Sequence, residues 1–294
     1  MKKIAIIGLS GNSLFYEVEK LPKEGETLKA HNFHMEVGGK GYNQAVACRR
    51  LGLDVYYLSA IGNDINGKEC VDFMDNEGIE HKFVIKDMAT ATASILKSDD
   101  SHNEVIVYHG ASNLLNLNDL KTFEKYIIES DCLLLTYEMP YEVLKEAAKI
   151  AKDNNVMLVI NPAPYIYDDL ELLKMADIVC PNEHEFAQMV KANFETIDDI
   201  KELYKSSNLN KLVITLGSKG CFLCDKDDFQ YIEASKVNAV DTTGAGDVFN
   251  AALCYGLLSG MLIEDACRLA VKVSGISVTK KYVMNAIPKK EELK

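Results

Sequence analysis

Basic residues are in short supply in this chain, and long apolar runs are missing altogether. Against 44 aspartates and glutamates, the 294 residues hold only 32 lysines and arginines, a formal charge of −12. Such a balance repels nucleic-acid phosphates and anionic lipid, so neither a nucleic acid nor a membrane is expected as a partner. The N-terminal apolar run, Ile4 to Leu9, is too short for a secretion signal, and no later run approaches the ~18 apolar residues of a membrane span. A soluble, cytoplasmic protein is the expectation. Two nucleotide fingerprints are also absent: the G-x-x-x-x-G-K-[ST] P-loop, and G-x-G-x-x-G after the first strand. The second absence argues against a nicotinamide or flavin oxidoreductase. Internal repeats and low-complexity linkers are lacking as well. The eight cysteines lie scattered, mostly inside apolar stretches, as reduced core cysteines do. Only Cys221 and Cys224 sit close together, and in a strand-like GCFLCD their side chains would point to opposite faces, which serves shared metal ligation poorly.

What is present alternates. KKIAIIG (2 to 8) is a continuous apolar run ending in glycine, the pattern of a strand buried on both faces. DVYYLSAIG (54 to 62), DCLLLTY (131 to 137), NVMLVINP (155 to 162), ADIVCPN (176 to 182) and KLVITLG (211 to 217) read the same way. Between them lie the helical patterns GYNQAVACRRLG, NGKECVDFMDNEG, YEVLKEAAKIAKDNN and EHEFAQMVKAN. Strands alternating with helices predict an α/β fold, a doubly wound and mostly parallel sheet flanked by helices. Two regions break the rhythm, 13–37 and 82–108, with short strand patterns such as ATASILKS (91 to 98) and NEVIVYHG (103 to 110). They are expected to form one small inserted β-sheet, a lid over a core made of 1–12, 38–81 and 109–294. Such a sheet could close over a ligand and exclude water, or pair with a second copy to make a homodimer.

Several segments could carry chemistry. In AVDTTGAGDVFNAAL (239 to 253), Gly244-Ala245-Gly246 precede Asp247 at the start of a helical pattern that ends at Gly260. Backbone N–H groups there could hold an anion, with Asp247 accepting a proton from an attacking hydroxyl. Equally, Asp247 could simply cap the helix. GGKGYNQA (38 to 45) is a second glycine-rich helix start, carrying Lys40 and Asn43. In PNEHE (181 to 185), Asn182 and Glu185 could meet a magnesium shell through water, or form an ordinary capping pair. TLGSKG (215 to 220) is a strand end running into a turn, at the edge where α/β proteins bind ligands.

The order and content of these motifs resemble the ribokinase-like sugar and nucleoside kinases, the PfkB group. GGKGYNQA, NPAP (161 to 164), PNEHE, TLGSKG and VDTTGAGDVFNAAL follow one another as they do in that family, and the similarity spans nearly the whole chain. The resemblance implies a kinase that moves the γ-phosphoryl group of ATP, with magnesium, to a hydroxymethyl group of a sugar or sugar-like molecule. By that resemblance Asp247 is the general base, and Gly244, Ala245 and Gly246 form the anion hole. Asn182 and Glu185 serve phosphate and magnesium, and Thr215, Gly217 and Gly220 the nucleotide. Gly39, Lys40 and Asn43 belong to the sugar site, and Glu138 matches an acidic residue that helps hold the sugar. A nucleoside kinase, including the pseudouridine type, and a catalytically silent relative are the alternatives; retention of Asp247 between its glycines speaks against the silent one.

Two departures stand out. Where ribokinases carry an Asn and then a sugar-gripping Asp, this chain has Gly11 and Ser13, and a shift of one residue would bring Asn12 in instead. A lost charge-assisted hydrogen bond costs about 1.5 to 3 kcal/mol, so ribose is not expected as the preferred acceptor. In TKKYVMNAIP (279 to 288), Tyr282, Val283 and Ala286 replace the Gly-Ala turn and the serine that help ribokinases bind a monovalent cation. Asp241 and the Thr243 carbonyl remain as ligands for potassium, and potassium dependence is expected to be weak.

Overall fold

The computed structural model describes residues 1–100, 102–168 and 170–293. The strands are β1 (Lys3–Ile7), β2 (Gly11–Val18), β3 (Asn32–Gly38), β4 (Asp54–Gly62), β5 (Glu80–Lys86), β6 (Ala91–Ser98) and β7 (Asn103–Tyr108). After them come β8 (Cys132–Thr136), β9 (Met157–Asn161), β10 (Ile178–Val179), β11 (Lys211–Thr215), β12 (Gly220–Asp225) and β13 (Asp228–Glu233). The helices are α1 (Lys40–Leu51), α2 (Ile65–Glu77), α3 (Leu117–Lys121), α4 (Glu124–Ile128), α5 (Tyr141–Asp153), α6 (Glu171–Met175), α7 (Glu183–Val190), α8 (Ile197–Ser207), α9 (Ala245–Leu258) and α10 (Ile263–Ser277).

Nine strands form the large sheet in the order β13-β12-β11-β10-β9-β8-β1-β4-β5. Its strands from β11 to β5 are parallel, and β12 and β13 add an antiparallel edge. β1 shows why an unbroken apolar run becomes a central strand. Ile4 and Ile6 enter the core on one face, Ala5 and Ile7 the core on the other, and all four are fully buried. The same alternation parts Cys221 from Cys224, each in a different core. Among the described residues no group of three or more His, Cys, Asp or Glu side chains could hold a metal ion, and no helix is long and apolar enough to cross a membrane.

The four remaining strands make a separate sheet in the order β3-β2-β6-β7. Its limits correct the expected ones. β5 pairs in parallel with β4, from Tyr56 beside Glu80 to Gly62 beside Lys86, so residues 82–86 belong to the large sheet. As an edge strand β5 is only half covered, which makes its sequence resemble that of the small sheet. At the other limits, β2 already starts at Gly11 and β3 runs to Gly38.

Candidate active site

Two helix N-termini meet where the large sheet's strands end. α1 starts at Gly39 and α9 at Gly244, and neither glycine can cap its helix with a side chain. A carboxylate from the loop after β8 caps α1: Glu138 Oε1 accepts the Lys40 N–H at 2.9 Å, and Oε2 accepts the Gly41 N–H at 3.0 Å. Thr136 Oγ1 donates to the same Oε2 at 3.1 Å. The buried Glu138 therefore holds the glycine-rich turn in place, a function that its assignment to the sugar does not include. At α9 the Ala245 N–H turns to the Thr242 carbonyl at 3.2 Å, and the amides of Gly244, Gly246 and Asp247 have no acceptor among the described residues. Unfilled N–H groups at the positive end of a helix dipole make an anion site. Glycine is required at position 244 because φ is +76° and a Cβ there would come within 2.7 Å of Val283 Cγ1.

Asp247 lies one turn into α9, only 6% exposed, and points at α1. Asn43 Nδ2 donates to its Oδ2 at 2.8 Å, and Gln44 Nε2 to its Oδ1 at 3.2 Å. Burial pushes the carboxyl from an ordinary 3.8 up to about 7, against the pull of the Lys40 ammonium and the Asn43 and Gln44 amides, with Glu138 adding to the rise. Burial would lower the Lys40 ammonium, but Asp247, Glu138 and Glu185 together hold it above its usual range. A carboxyl poised near neutrality within a hydrogen-bonded frame is suited to general-base work.

Beside Asp247 opens a cavity of about 950 Å³, large enough for a nucleotide. Gly244, Ala245, Gly246, Asp247 and Lys40 line one end of it, and Thr215, Gly217 and Gly220 the β11–β12 turn. Asn182 and Glu185 line it too, joined as a capping box at the start of α7: Asn182 Oδ1 accepts the Glu185 N–H and Glu185 Oε2 the Asn182 N–H, each at 2.8 Å. Capping and ligand binding, set as alternatives by the sequence, are thus compatible, since the cap fixes the carboxylate at the cavity wall. Burial raises the Glu185 carboxyl above its usual range, with the Asn182 amide and Lys40 opposing.

Gly39, Asn43, Glu138, Ser13, Asp241 and Thr243 do not line that cavity. Ser13 lies next to Asn43: a Cβ built on Gly38 would be 2.8 Å from Ser13 Oγ and 3.7 Å from Asn43 Oδ1. Strand alternation sends Asn12 the other way, where its Nδ2 donates to Glu69 at 2.8 Å, so Ser13 and not Asn12 faces Asn43. A larger side chain at position 11 is excluded, because its Cβ would lie 2.0 Å from the Ala91 carbonyl oxygen. Asn43 Oδ1 is buried without a protein partner, an acceptor left open beside Ser13. The Asp241 carboxylate is filled by Thr243, Tyr282 and Lys97.

Sequence reasoning missed Gln44 and Asn161, although both stand in segments it quoted. Asn161 Oδ1 accepts from Gln44 Nε2 at 3.2 Å, while its own Nδ2 donates to the Cys180 carbonyl at 2.8 Å. Together they brace the frame around Asp247. Lys97 carried no local signal at all.

Charge stabilisation beside one base is the equipment of phosphoryl transfer to a hydroxyl. Fold and site together thus define a small-molecule kinase. Comparison with known proteins specifies which: residues 1–290 match the pfkB family of carbohydrate kinases, and the chain belongs to that family. The ribokinase of Haemophilus influenzae is 35% identical over 296 aligned residues, covering 99% of this chain and 97% of that one. The solved ribokinase of Giardia lamblia superposes with a TM-score of 0.93 at 27% identity, over 99% of this chain and 97% of that one. Arabidopsis thaliana ribokinase, solved with ribose and ATP, gives a TM-score of 0.89 at 26% identity, over 100% of this chain and 98% of that one. The protein is an ATP-dependent carbohydrate kinase.

Proposed function

We propose that this kinase phosphorylates a hydroxymethyl group of a sugar or sugar-like acceptor held between Ser13 and Asn43, with Asp247 as the base. The observation that carries this reading is the Asp247 carboxyl, buried, raised to about 7 and framed by Asn43 and Gln44 at the open N-terminus of α9. Asp247 takes the acceptor's proton as the oxygen attacks, and the open amides of Gly244 and Gly246 offset the charge on the transferring group, whereas the Ala245 N–H of the expected anion hole is already held by the Thr242 carbonyl. Lys40 adds a positive charge at the same end of the cavity. Thr215, Gly217 and Gly220 receive the rest of the nucleotide. The unpartnered Asn43 Oδ1 and Ser13 Oγ orient the acceptor's other hydroxyls, assisted by the Gly39 turn that Glu138 holds.

Magnesium fits the hard oxygen donors of the cavity wall: Asn182 and Glu185 would hold it, directly or through water, and it offsets phosphate charge when bound. A serine at position 13 grips vicinal hydroxyls less firmly than a carboxylate, which supports an acceptor other than ribose. The small sheet acts as a lid over the acceptor, because Ser13 belongs to it. A homodimer through that sheet is supported by its outer strands, which expose Phe33, Met35, Val105, Ile106 and Val107. A cytoplasmic setting suits the eight buried free thiols.

The test is ATP consumption over a panel of pentoses, hexoses, nucleosides and their phosphates, with the product identified. At least one sugar or sugar-like acceptor should give a far higher kcat/KM than ribose. Ribose emerging as the most efficient acceptor would overturn the specificity argument, and turnover confined to nucleosides would overturn the sugar reading.

A further inference from the structure

Asp241 begins the turn that leads into α9, and its side chain is only 8% exposed. Buried so far, a carboxylate needs donors or a cation on both oxygens. Oδ1 accepts the Thr243 N–H at 3.0 Å and the Thr243 Oγ1 hydroxyl at 2.7 Å. Oδ2 accepts the Tyr282 N–H at 3.0 Å and the Lys97 ammonium at 2.6 Å. The only full positive charge among these donors comes from β6, in the other sheet. The ammonium also lies 4.9 Å from the centre of the Phe15 ring, so a second contact holds it there.

The small sheet reaches the same turn by a second route. Glu36 of β3 accepts the N–H groups of Val283 at 2.7 Å and Met284 at 3.2 Å. Val283 in turn packs against Gly244, where it would meet any added Cβ. The Asp241 turn is thus set on one side by Lys97 and on the other by a segment that Glu36 fixes. Both oxygens of Asp241 are taken, so this carboxylate does not fit a bound monovalent ion, contrary to the role that the family resemblance implies for it.

We propose that Lys97 is a positioning residue for phosphoryl transfer: its ammonium, delivered by the small sheet, takes the place of a bound cation beside Asp241 and sets the geometry of the Gly244–Gly246 turn. This rests on the reading of that turn as the anion hole. Two consequences follow from it. The wild-type enzyme works without potassium, and removal of the Lys97 side chain creates a site that a small cation can refill.

The experiment titrates potassium or ammonium against tetramethylammonium, which is too large to enter, at constant ionic strength. Wild-type kcat should change by less than about twofold. Lys97→Ala should start at least about tenfold below wild type in tetramethylammonium, with the KM for ATP changed less than about threefold. Potassium or ammonium should then restore its kcat at least about fivefold and raise its Tm, since an ion that binds only the folded state stabilises it. If the Ala variant does not fold, Lys97→Met keeps the aliphatic stem and goes through the same titration. Strong potassium activation of the wild type would overturn the proposal. So would a Lys97 variant of undiminished rate, or a folded one whose kcat and Tm both ignore every cation. An Asp247→Asn control separates the two levels. A normal rate there sinks the reading on which this proposal rests, whereas an inactive control beside a cation-blind Lys97 variant overturns the role of Lys97 alone.

Discussion

Replacing Asp247 by asparagine should separate the protein's chemistry from its stability, moving them in opposite directions. The side chain keeps its shape but can no longer accept a proton, so kcat should fall by at least about a hundredfold, as loss of a general base does. ATP affinity, measured by calorimetry, should stay within about threefold. Stability follows from the frame around the carboxyl. Its raised value means that the folded protein binds more protons than the unfolded chain between pH 3.8 and about 7. Wild-type stability therefore falls as pH rises through that window, and by about pH 8 the ionised, buried Asp247 costs about 4 kcal/mol. Asparagine removes that cost. It adds a smaller one, because Asn43 and Gln44 both donate to the carboxylate and an amide offers a single acceptor oxygen. One donor left unpaired costs about 1 to 3 kcal/mol. The net expectation at about pH 8 is a variant more stable than wild type by about 1 to 3 kcal/mol, a Tm several degrees higher. At about pH 5.5, partway through that window, wild type bears only about 2 kcal/mol of the cost, roughly what the unpaired donor costs the variant, so the advantage should shrink to near zero. A coupled ADP-release assay and melting curves at both pH values test the pair of claims. Turnover within tenfold of wild type would refute the base, and a Tm difference that does not grow with pH would refute the electrostatics.

The same carboxyl predicts that kcat declines as pH falls through about 7, and a profile flat to about pH 5 would contradict it. Ser13→Asp should restore a charged grip and raise kcat/KM for ribose about tenfold or more, with the KM for ATP unchanged, given about 1.5 to 3 kcal/mol for a hydrogen bond to a charged group; no gain in the ribose assay would remove Ser13 from the acceptor site. Glu185→Gln preserves the capping box, since glutamine can replace glutamate there, so Tm should hold within about 2 °C. The magnesium needed for half-maximal rate should rise at least about fivefold, and an unchanged magnesium titration would argue against the Glu185 assignment.

Much of this was legible in the sequence, for physical reasons. A strand buried on both faces must be apolar at every position, which is why β1 and β8 stood out. A helix start without side chains in the way must be glycine-rich, which marked the α1 and α9 turns. The edges were harder: β5 is half exposed and reads like a strand of the small sheet. Least legible were contacts made by distant residues with ordinary local roles. Glu138 caps α1 from 98 positions away, and Lys97 meets Asp241 across 144. A lysine on a polar strand is nearly always solvated, and nothing in KSDD tells otherwise. Gln44 was hidden in another way. It adjoins Asn43 on α1, and only the packing of α1 on α9 brings both amides to one carboxylate.

The most direct test of the central claim is where the phosphate goes. With the best acceptor from the screen and ATP, phosphorus–proton coupling in the product's NMR spectrum should place the new ester on a primary CH2 carbon, with one ADP formed per product and both signals lost in Asp247→Asn. Phosphate on an anomeric or secondary hydroxyl, or the same product formed by the Asn variant at the wild-type rate, would contradict the account.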